Sequence, residues 1–222
     1  MIFIVDFDGT IAPTDTVDAL LGKFADAAWE GIERDWVAGR ISSQDCMKNQ
    51  LRLVSADREI LDAFFHDIAI DPTFVSFVHG VEAFANVAVV SDGLDYPIRQ
   101  AMSKIGMPSI PVFSNKLIFE SNGLDISFPH SSDTCQPRSG VCKCAIARSF
   151  DNAPVILIGD GRSDHCLARS ADYVFAKGSL QDFCRVEAIP FTFFNSFNDI
   201  LTIVRRWGKT RFADTDRKRY AT

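Results

Sequence analysis

The sequence lacks a long apolar run and an excess of positive charge. No stretch approaches the roughly 20 apolar residues that a membrane-spanning helix needs, and Met1 leads directly into a strand pattern with no charged-then-apolar leader. We therefore expect no membrane association and a cytoplasmic protein. The 222 residues include 23 Lys or Arg and 29 Asp or Glu, a net charge of −6. Because nucleic-acid backbones bind basic surfaces, we expect no nucleic-acid partner.

Aromatic residues other than phenylalanine are also scarce, with 3 Tyr and 3 Trp beside 19 Phe. We interpret the phenylalanines as core packing and not as a platform for stacking bases. Hydrophobic residues make up 47% and charged residues 23%, a globular balance that excludes a disordered chain, a collagen-like fibre and a coiled coil. The length predicts one large domain, or one domain with a subdomain, whose core needs no disulfide or metal.

Positive charge is concentrated at the C-terminus. Between residues 205 and 222 there are seven Lys or Arg and only two Asp. This pattern is typical of a solvated helix end followed by a frayed tail, and the alternative is a contact for an acidic partner. Nothing in the sequence specifies an oligomeric state.

Short apolar runs alternate with helical patterns along the chain. Runs typical of buried parallel strands occupy residues 2–5, 87–90, 155–158 and 173–175. Residues 110–113 predict a further strand, and residues 116–120 and 124–128 flank an Asn-Gly pair that predicts a β-hairpin. Ser163 is the predicted N-cap of a helix through Ala168. The predicted fold is α/β, a Rossmann-like parallel sheet sandwiched by helices.

Residues 16 to about 77 have helical spacing and no strand signal. We therefore predict that an all-helical cap subdomain, residues 15–78, is inserted into a catalytic core. That core would comprise residues 1–14 and 79–222, with the β-hairpin near 115–128.

The strongest strand patterns end in acidic or hydroxyl residues. Asp6 and Asp8 follow the first strand, Ser91 the second and Asp160 a third. Because ligands bind beyond the carboxyl ends of parallel strands, these residues should converge on one edge of the sheet. With Asp164, the four carboxylates would repel one another unless a cation lies among them. Hard oxygen ligands in this number suit Mg²⁺ beside a phosphate.

Four segments follow one another in a characteristic order: Asp6-Phe7-Asp8-Gly9-Thr10, Ser91, Lys143, and Gly-Asp-Gly-Arg-Ser-Asp at 159–164. They resemble the four motifs of the haloacid-dehalogenase-type phosphatases over nearly the whole chain. The resemblance implies a HAD-like core and a helical cap that closes over the site. It also implies a phosphomonoesterase whose partner is a small phosphate ester, hydrolysed through an aspartyl phosphate.

The resemblance implies roles for the four carboxylates. Asp6 would be the nucleophile, and Asp8 the general acid and base that the dehalogenases of the superfamily lack. Asp6, the backbone carbonyl of Asp8, and Asp160 would bind Mg²⁺. Asp164 would orient a metal-bound water or Lys143.

The resemblance also implies a phosphate cradle. Ser91, backbone N–H groups near Asp92 and Gly93, and Lys143 would bind the phosphate. Asp92 departs from the glycine that many relatives carry. A carboxylate at this position is compatible with a bound phosphate only if it points away from the cradle.

A narrower resemblance comes from Pro129-His130, Cys135, Cys142-Lys143-Cys144 and Ser91-Asp92-Gly93-Leu94-Asp95. These segments resemble the methionine-salvage branch of the family, whose named member dephosphorylates 2-hydroxy-3-keto-5-methylthiopentenyl-1-phosphate. Phosphocholine, phosphoethanolamine or phosphoserine are the alternative substrates. A phosphometabolite-binding protein, or a mutase-like phosphotransfer protein on the same fold, is the alternative of another class.

Two further groups of residues are candidate ligands. His130, Cys135, Cys142 and Cys144 lie within fifteen residues and could bind a structural Zn²⁺; without a CxxC pair, the alternative is a set of buried or loop thiols. Within the cap, Asp15, Arg40 and Arg52 are candidate substrate contacts. The alternatives are a helix N-cap for Asp15 and solvated side chains for the arginines.

Overall fold

The computed structural model describes residues 1–121, 123–135, 138–150 and 153–207. The strands in these ranges are β1 (Ile2–Val5), β2 (Asn86–Leu94), β3 (Val112–Glu120), β4 (Gly123–Ser127), β5 (Val155–Gly159), β6 (Tyr173–Ala176) and β7 (Thr192–Phe193). The helices are α1 (Thr16–Phe24), α2 (Trp29–Val37), α3 (Ser43–Leu51), α4 (Arg58–His66), α5 (Phe74–Val81), α6 (Asp95–Lys104), α7 (Lys143–Arg148), α8 (His165–Ala168), α9 (Gly178–Val186) and α10 (Phe197–Val204). None of these helices is long and apolar enough to cross a membrane. Asn122 of the predicted turn and the basic segment from residue 208 onward lie outside the described residues.

The strands form one sheet in the order β4-β3-β2-β1-β5-β6-β7. All neighbouring pairs are parallel except β3 and β4, and β1 lies between β2 and β5. Val5, the last residue of β1, is in register with Val89 of β2 and Ile158 of β5. Asp6 after β1 and Asp160 after β5 therefore meet at one edge with the last part of β2. The prediction that this strand ends before Ser91 was wrong, because β2 continues through Ser91, Asp92 and Gly93 to Leu94. The predicted α/β fold, a mostly parallel Rossmann-like sheet flanked by helices, is confirmed.

The central strands are apolar throughout because both faces of the sheet are covered. Side chains of β1 alternate between the faces, with Phe3 and Val5 on one and Ile2 and Ile4 on the other. The first face packs against α5, α6 and α10, and the second against α7, α8 and α9. A strand buried on both sides loses the polar–apolar alternation of a half-exposed strand.

The edge of the sheet differs from the prediction of two short strands at 110–113 and 116–120. One continuous strand, β3, pairs with β2 over its first part and with β4 over its second part. The sequence pattern was interrupted by Ser114 and Asn115, which are polar but buried. Their polarity hid the continuity of the strand.

The helices α1 to α4 lie between β1 and β2 in the chain. Their apolar side chains, including Leu20, Leu51 and Leu61, share one cluster with Leu117 and Ile126 of the β3–β4 hairpin. The hairpin therefore forms part of the support on which these helices rest.

The next helix, α5, packs in the core. Its Phe74 and Phe77 rings lie 5.0 and 5.3 Å from the Phe197 ring of α10. The helix begins inside the range that the sequence predicts for the cap. The cap limits of 15–78 stay a prediction.

The N-terminus of α10 provides a test of the fold. The Asp199 carboxylate accepts hydrogen bonds from the backbone N–H groups of Ser196 and Asn195 at 2.9 and 3.0 Å, which hold its pKa below the ordinary value of 3.8. The stabilisation that these hydrogen bonds give the folded state is therefore fully present above pH 3.8, the ordinary pKa. It is lost as the pH falls through the lowered pKa of the folded state. We expect Asp199→Ala to lower the free energy of unfolding by about 1 kcal/mol at pH 7. Urea unfolding should show a smaller difference at pH 3, and the exposed neighbour change Asn198→Ala serves as the control. An equal difference at both pH values would contradict this reading.

Candidate active site

A cavity of about 850 Å³ lies between helices α1–α3 and the carboxyl ends of the central strands. The sheet order explains its place, because β1 has β2 on one side and β5 on the other. The residues predicted for catalysis, phosphate binding, metal binding or substrate contact that line this cavity include Asp6, Asp8, Asp15, Ser91, Asp92, Gly93, Lys143 and Asp160. The structure therefore brings together residues up to 154 positions apart in the sequence.

At the floor of the cavity one buried cation lies between two buried carboxylates. The Lys143 Nζ is 2.8 Å from Asp6 Oδ2 and 2.6 Å from Asp164 Oδ1. Burial alone would lower the pKa of Lys143, but Asp164 and Asp6 outweigh burial and raise it. Lys143 therefore stays charged. The other Asp164 oxygen accepts hydrogen bonds from the N–H groups of Asp160 and Gly161, both at 3.2 Å, which fixes the carboxylate.

The carboxylates of Asp6, Asp160 and Asp164 each bring an oxygen within 4.8 Å of the others. Burial, with the charge of Asp164, raises the pKa of Asp6 to about 7. Burial, with the charge of Asp6, raises the pKa of Asp160 to about 6. Three hard oxygen donors with this mutual repulsion fit a divalent cation such as Mg²⁺. Within the described part of the chain, no other group of His, Cys, Asp or Glu has this spacing.

Asp8 lies outside that cluster, in a different environment. Its Oδ1 accepts a hydrogen bond from the Thr16 N–H at 2.7 Å, and its Oδ2 lies 3.4 Å from the Ser91 hydroxyl. Burial, with the charge of Asp15, raises the pKa of Asp8 to about 8. A carboxyl that holds a proton near neutral pH has the property that a general acid needs.

Two glycines leave room for this arrangement. A Cβ on Gly93 would lie 2.3 Å from Asp8 Oδ2, and a Cβ on Gly9 would lie 2.1 Å from Asp160 Oδ2. Gly9 also has a φ of 70°, in the left-handed region that glycine adopts without strain. The Gly93 N–H donates a hydrogen bond to Ser91 Oγ at 3.0 Å. Close approach of the backbone to the carboxylates therefore depends on both glycines.

Asp92 uses its carboxylate to bind protein donors. It accepts hydrogen bonds from the Val141 N–H at 2.8 Å, the Ser43 hydroxyl at 3.1 Å and the Asn115 amide at 3.3 Å. Burial raises its pKa. These donors belong to α3, to β3 and to the segment just before Lys143. Asp92 therefore connects three parts of the chain that surround the cavity.

Two hydroxyl contacts were missed in the sequence. Thr10 Oγ1 donates to Asp160 Oδ1 at 2.7 Å, and Ser163 Oγ donates to Asp6 Oδ2 at 3.2 Å. The prediction of Ser163 as an N-cap was wrong, because it lies inside a 3₁₀ turn, Arg162–Asp164, and α8 begins only at His165. The position of both residues within the aspartate motifs was the available signal.

The structure gives the predicted zinc site no support. No three of His130, Cys135, Cys142 and Cys144, all of them described residues, have their ligand atoms within 4.8 Å of one another. The His130 ring packs against the Phe113 ring at 5.3 Å. Cys135, Cys142 and Cys144 all line the cavity.

The cap candidates have different positions. Asp15 is the N-cap of α1, accepting from the Val17 and Asp18 N–H groups at 2.9 Å each, and it also lines the cavity. Arg40 lines the cavity, but its Nε donates to Asp35 at 2.9 Å. Arg52 follows the last residue of α3, is exposed and does not line the cavity, which is the position expected for the alternative of a solvated side chain.

Comparison with known proteins identifies the family. The sequence profile of the haloacid dehalogenase-like hydrolases matches residues 3–169. The chain therefore belongs to the haloacid dehalogenase-like hydrolases, as its motifs predicted.

Two curated relatives cover nearly the whole chain. The chain is 29% identical over 212 residues to a protein of Brevibacillus brevis named 2-hydroxy-3-keto-5-methylthiopentenyl-1-phosphate phosphatase, covering 93% of this chain and 96% of the relative. It is 30% identical over 209 residues to the protein of the same name from Exiguobacterium sibiricum, covering 89% and 93%. The predicted enzyme class, a phosphomonoesterase, is confirmed.

Solved structures confirm the fold. A phosphoserine phosphatase in a phospho-aspartyl intermediate analogue state superimposes with a TM-score of 0.67 at 18% identity, covering 91% of this chain and 97% of that chain. A phosphoserine phosphohydrolase-like protein from Francisella tularensis gives a TM-score of 0.68 at 17% identity, covering 91% and 98%.

The contacts of Asp92 provide a test of the site. Asp92→Ala would leave the Val141 N–H without its acceptor and should lower the free energy of unfolding by about 1–3 kcal/mol. It should also lower kcat/KM, because the segment that carries Lys143 would lose an anchor. Asp92→Asn keeps an acceptor and should therefore lose less of the free energy of unfolding and less of kcat/KM.

The matched control is Asp172→Asn, since the Asp172 carboxylate also accepts from a backbone N–H, that of Val155 at 2.8 Å, but does not line the cavity. Chemical unfolding and steady-state kinetics measure both effects. Equal kcat/KM in Asp92→Ala and the wild type would show that Asp92 does not position the site.

Proposed function

We propose that this protein is a Mg²⁺-dependent phosphomonoesterase of small metabolites that works through an aspartyl phosphate on Asp6. The observation that supports this most directly is the environment of Asp6. Its Oδ1 accepts the Phe7 N–H at 2.8 Å, and its Oδ2 lies 2.8 Å from Lys143 Nζ and 3.2 Å from Ser163 Oγ. A carboxylate fixed in this way, at the edge of a cavity, is oriented for in-line attack.

In the proposed first step, an Asp6 oxygen bonds to phosphorus while the bond from phosphorus to the ester oxygen breaks. Asp8 gives its proton to the departing oxygen. In the second step, a water attacks phosphorus and the bond to Asp6 breaks, while Asp8 takes the proton of the water. The raised pKa of Asp8 suits a group that alternates between these two forms. Lys143, Ser91 and the N–H groups near Gly93 would hold the phosphate oxygens.

The donor set fits a magnesium ion. Asp6, Asp160 and the backbone carbonyl of Asp8 would hold it, and Asp164 would keep Lys143 in place. When bound, the ion supplies positive charge that offsets the repulsion between the phosphate and the carboxylates.

For the substrate, we propose 2-hydroxy-3-keto-5-methylthiopentenyl-1-phosphate of methionine salvage, supported by the names of the two curated relatives. Helices α2 and α3 contact the core beside the cavity, which favours a small ester over a phosphoprotein. The Arg162 guanidinium lies 5.0 Å from the centre of the Trp36 ring, and the Gln44 amide donates to the Ser139 carbonyl at 3.1 Å.

Replacing the nucleophile tests the mechanism. We expect Asp6→Asn to lower phosphate release by at least ~10³-fold, because an amide cannot form the acyl phosphate. The assay measures inorganic phosphate from p-nitrophenyl phosphate and from the methionine-salvage ester, with Asp172→Asn as the control. Turnover that persists in Asp6→Asn would refute the mechanism.

Metal removal tests the cofactor. Treatment with a chelator should abolish activity, and added Mg²⁺ should restore it. Asp160→Asn should raise the Mg²⁺ concentration for half-maximal activity by about tenfold or more, since it removes one charged ligand. Full activity of the chelated protein without added metal would exclude the proposed ion.

A further inference from the structure

The cap side of the cavity presents hydrogen-bond acceptors that the proposed reaction does not use. Asp18 of α1, Glu33 of α2 and Gln50 of α3 all line the cavity. The catalytic carboxylates lie on the opposite side, at the strand ends. These three helices therefore offer contacts to a group attached to the phosphate.

Glu33 is held in place through one of its two oxygens. Its Oε2 accepts from the Gln50 amide at 2.9 Å and from the Cys46 thiol at 3.7 Å. Burial, with the nearby Glu33, raises the pKa of Cys46 to about 12, so the thiol keeps its proton and donates. No residue in the described ranges donates to Oε1 of Glu33, which leaves this oxygen for a ligand.

Gln50 adds a second free acceptor. The residue is 2% exposed, and its amide nitrogen is used by Glu33. Its carbonyl oxygen receives no hydrogen bond from the described residues, and Gln50 lines the cavity. A buried side chain with a free acceptor requires a donor from a ligand or from water.

The charge around these acceptors is negative. Burial, with the charges of Asp15 and Glu33, raises the pKa of Asp18 to about 6. A carboxylate on the substrate would be repelled here and would leave the two free acceptors without donors.

The arginines of the cavity lining lie in other contacts. Arg40 pairs with Asp35, and Arg162 stacks over Trp36. Arg169 pairs with Glu187 at 3.0 Å. Arg138 belongs to the segment before Lys143 and to none of the three helices that carry Asp18, Glu33 and Gln50.

We infer that Glu33 and Gln50 form the leaving-group subsite and select phosphate esters whose leaving group carries hydroxyl or ammonium donors and no carboxylate. This inference rests on the proposed function and adds a substrate class to it. Glu33 and Gln50 are specificity-determining residues here, since they contact the leaving group and not the phosphorus.

Two matched pairs of esters test the subsite. Glycerol 3-phosphate and 3-phosphoglycerate differ by a hydroxymethyl in place of a carboxylate, and phosphoethanolamine and phosphoserine differ by an added carboxylate. The carboxylate-free member of each pair should have a kcat/KM at least about tenfold higher in the wild type. p-Nitrophenyl phosphate, which lacks donors, reports the chemistry alone.

Glu33→Gln should raise KM for the two carboxylate-free esters by about tenfold, since it removes the charged acceptor. The effect should be larger for the ammonium ester than for the hydroxyl ester. Glu33→Gln should reduce the difference in kcat/KM within each pair of esters. It should change kcat/KM for p-nitrophenyl phosphate by less than about twofold. The control is Glu30→Gln on the same helix, whose side chain is 63% exposed and does not line the cavity. It should change none of these values.

The outcomes separate the two proposals. If the wild type releases phosphate from no ester, p-nitrophenyl phosphate included, the proposed function fails. If it hydrolyses p-nitrophenyl phosphate but prefers the carboxylate member of each pair, or if Glu33→Gln affects all esters equally, the subsite is refuted and the proposed function stands. If Glu33→Gln does not fold, Asp18→Asn carries the test. It should reduce the discrimination within each pair several-fold, because it lowers the negative charge, and unchanged discrimination would overturn the inference.

Discussion

The buried triad of Asp6, Lys143 and Asp164 is the interaction on which the rest of the structure depends. Removing one charge from such a group leaves its partner unpaired in a poorly solvated place. The three residues come from the end of β1, the start of α7 and the turn after β5. The fold therefore has to bring these three segments together, and the sheet order β2-β1-β5 does so. The net negative charge that remains around Asp6 and Asp160 fits a cation, and the cavity above them fits an ester.

A second set of contacts connects the helices around the cavity to the core. Helices α1 to α4 pack against the β3–β4 hairpin, and Asp92 connects α3 to the core and to the segment before Lys143. Helix α3 and the segment that leads to Lys143 are thus joined through one carboxylate. The position of α3 is therefore linked to the position of Lys143.

The sequence predicted the features that depend on local pattern. Buried strands are apolar runs. Asp6 and Asp160 directly follow two of these runs, and Ser91 follows the apolar part of β2, so the α/β class and the site edge followed from residue types and their order. Where polar residues are buried, the pattern failed. Ser114 and Asn115 broke the apolar run of β3, and Ser163 looked like a helix cap although it donates to Asp6. The spacing of Arg52 and of the cysteines left their positions open, because the direction of a side chain is not visible in its spacing.

By itself, then, the sequence determined the fold class, the family and the aspartates at the strand ends, because these are encoded in short segments whose physical chemistry is local. Only the tertiary structure decided which donors bind Asp92, and that Gln50 bonds to Glu33 where both line the cavity. Those contacts join residues 17 to 49 positions apart, on different helices and strands. Such partners are selected by the packing of whole elements, and a linear pattern carries no record of the distance between two helix faces.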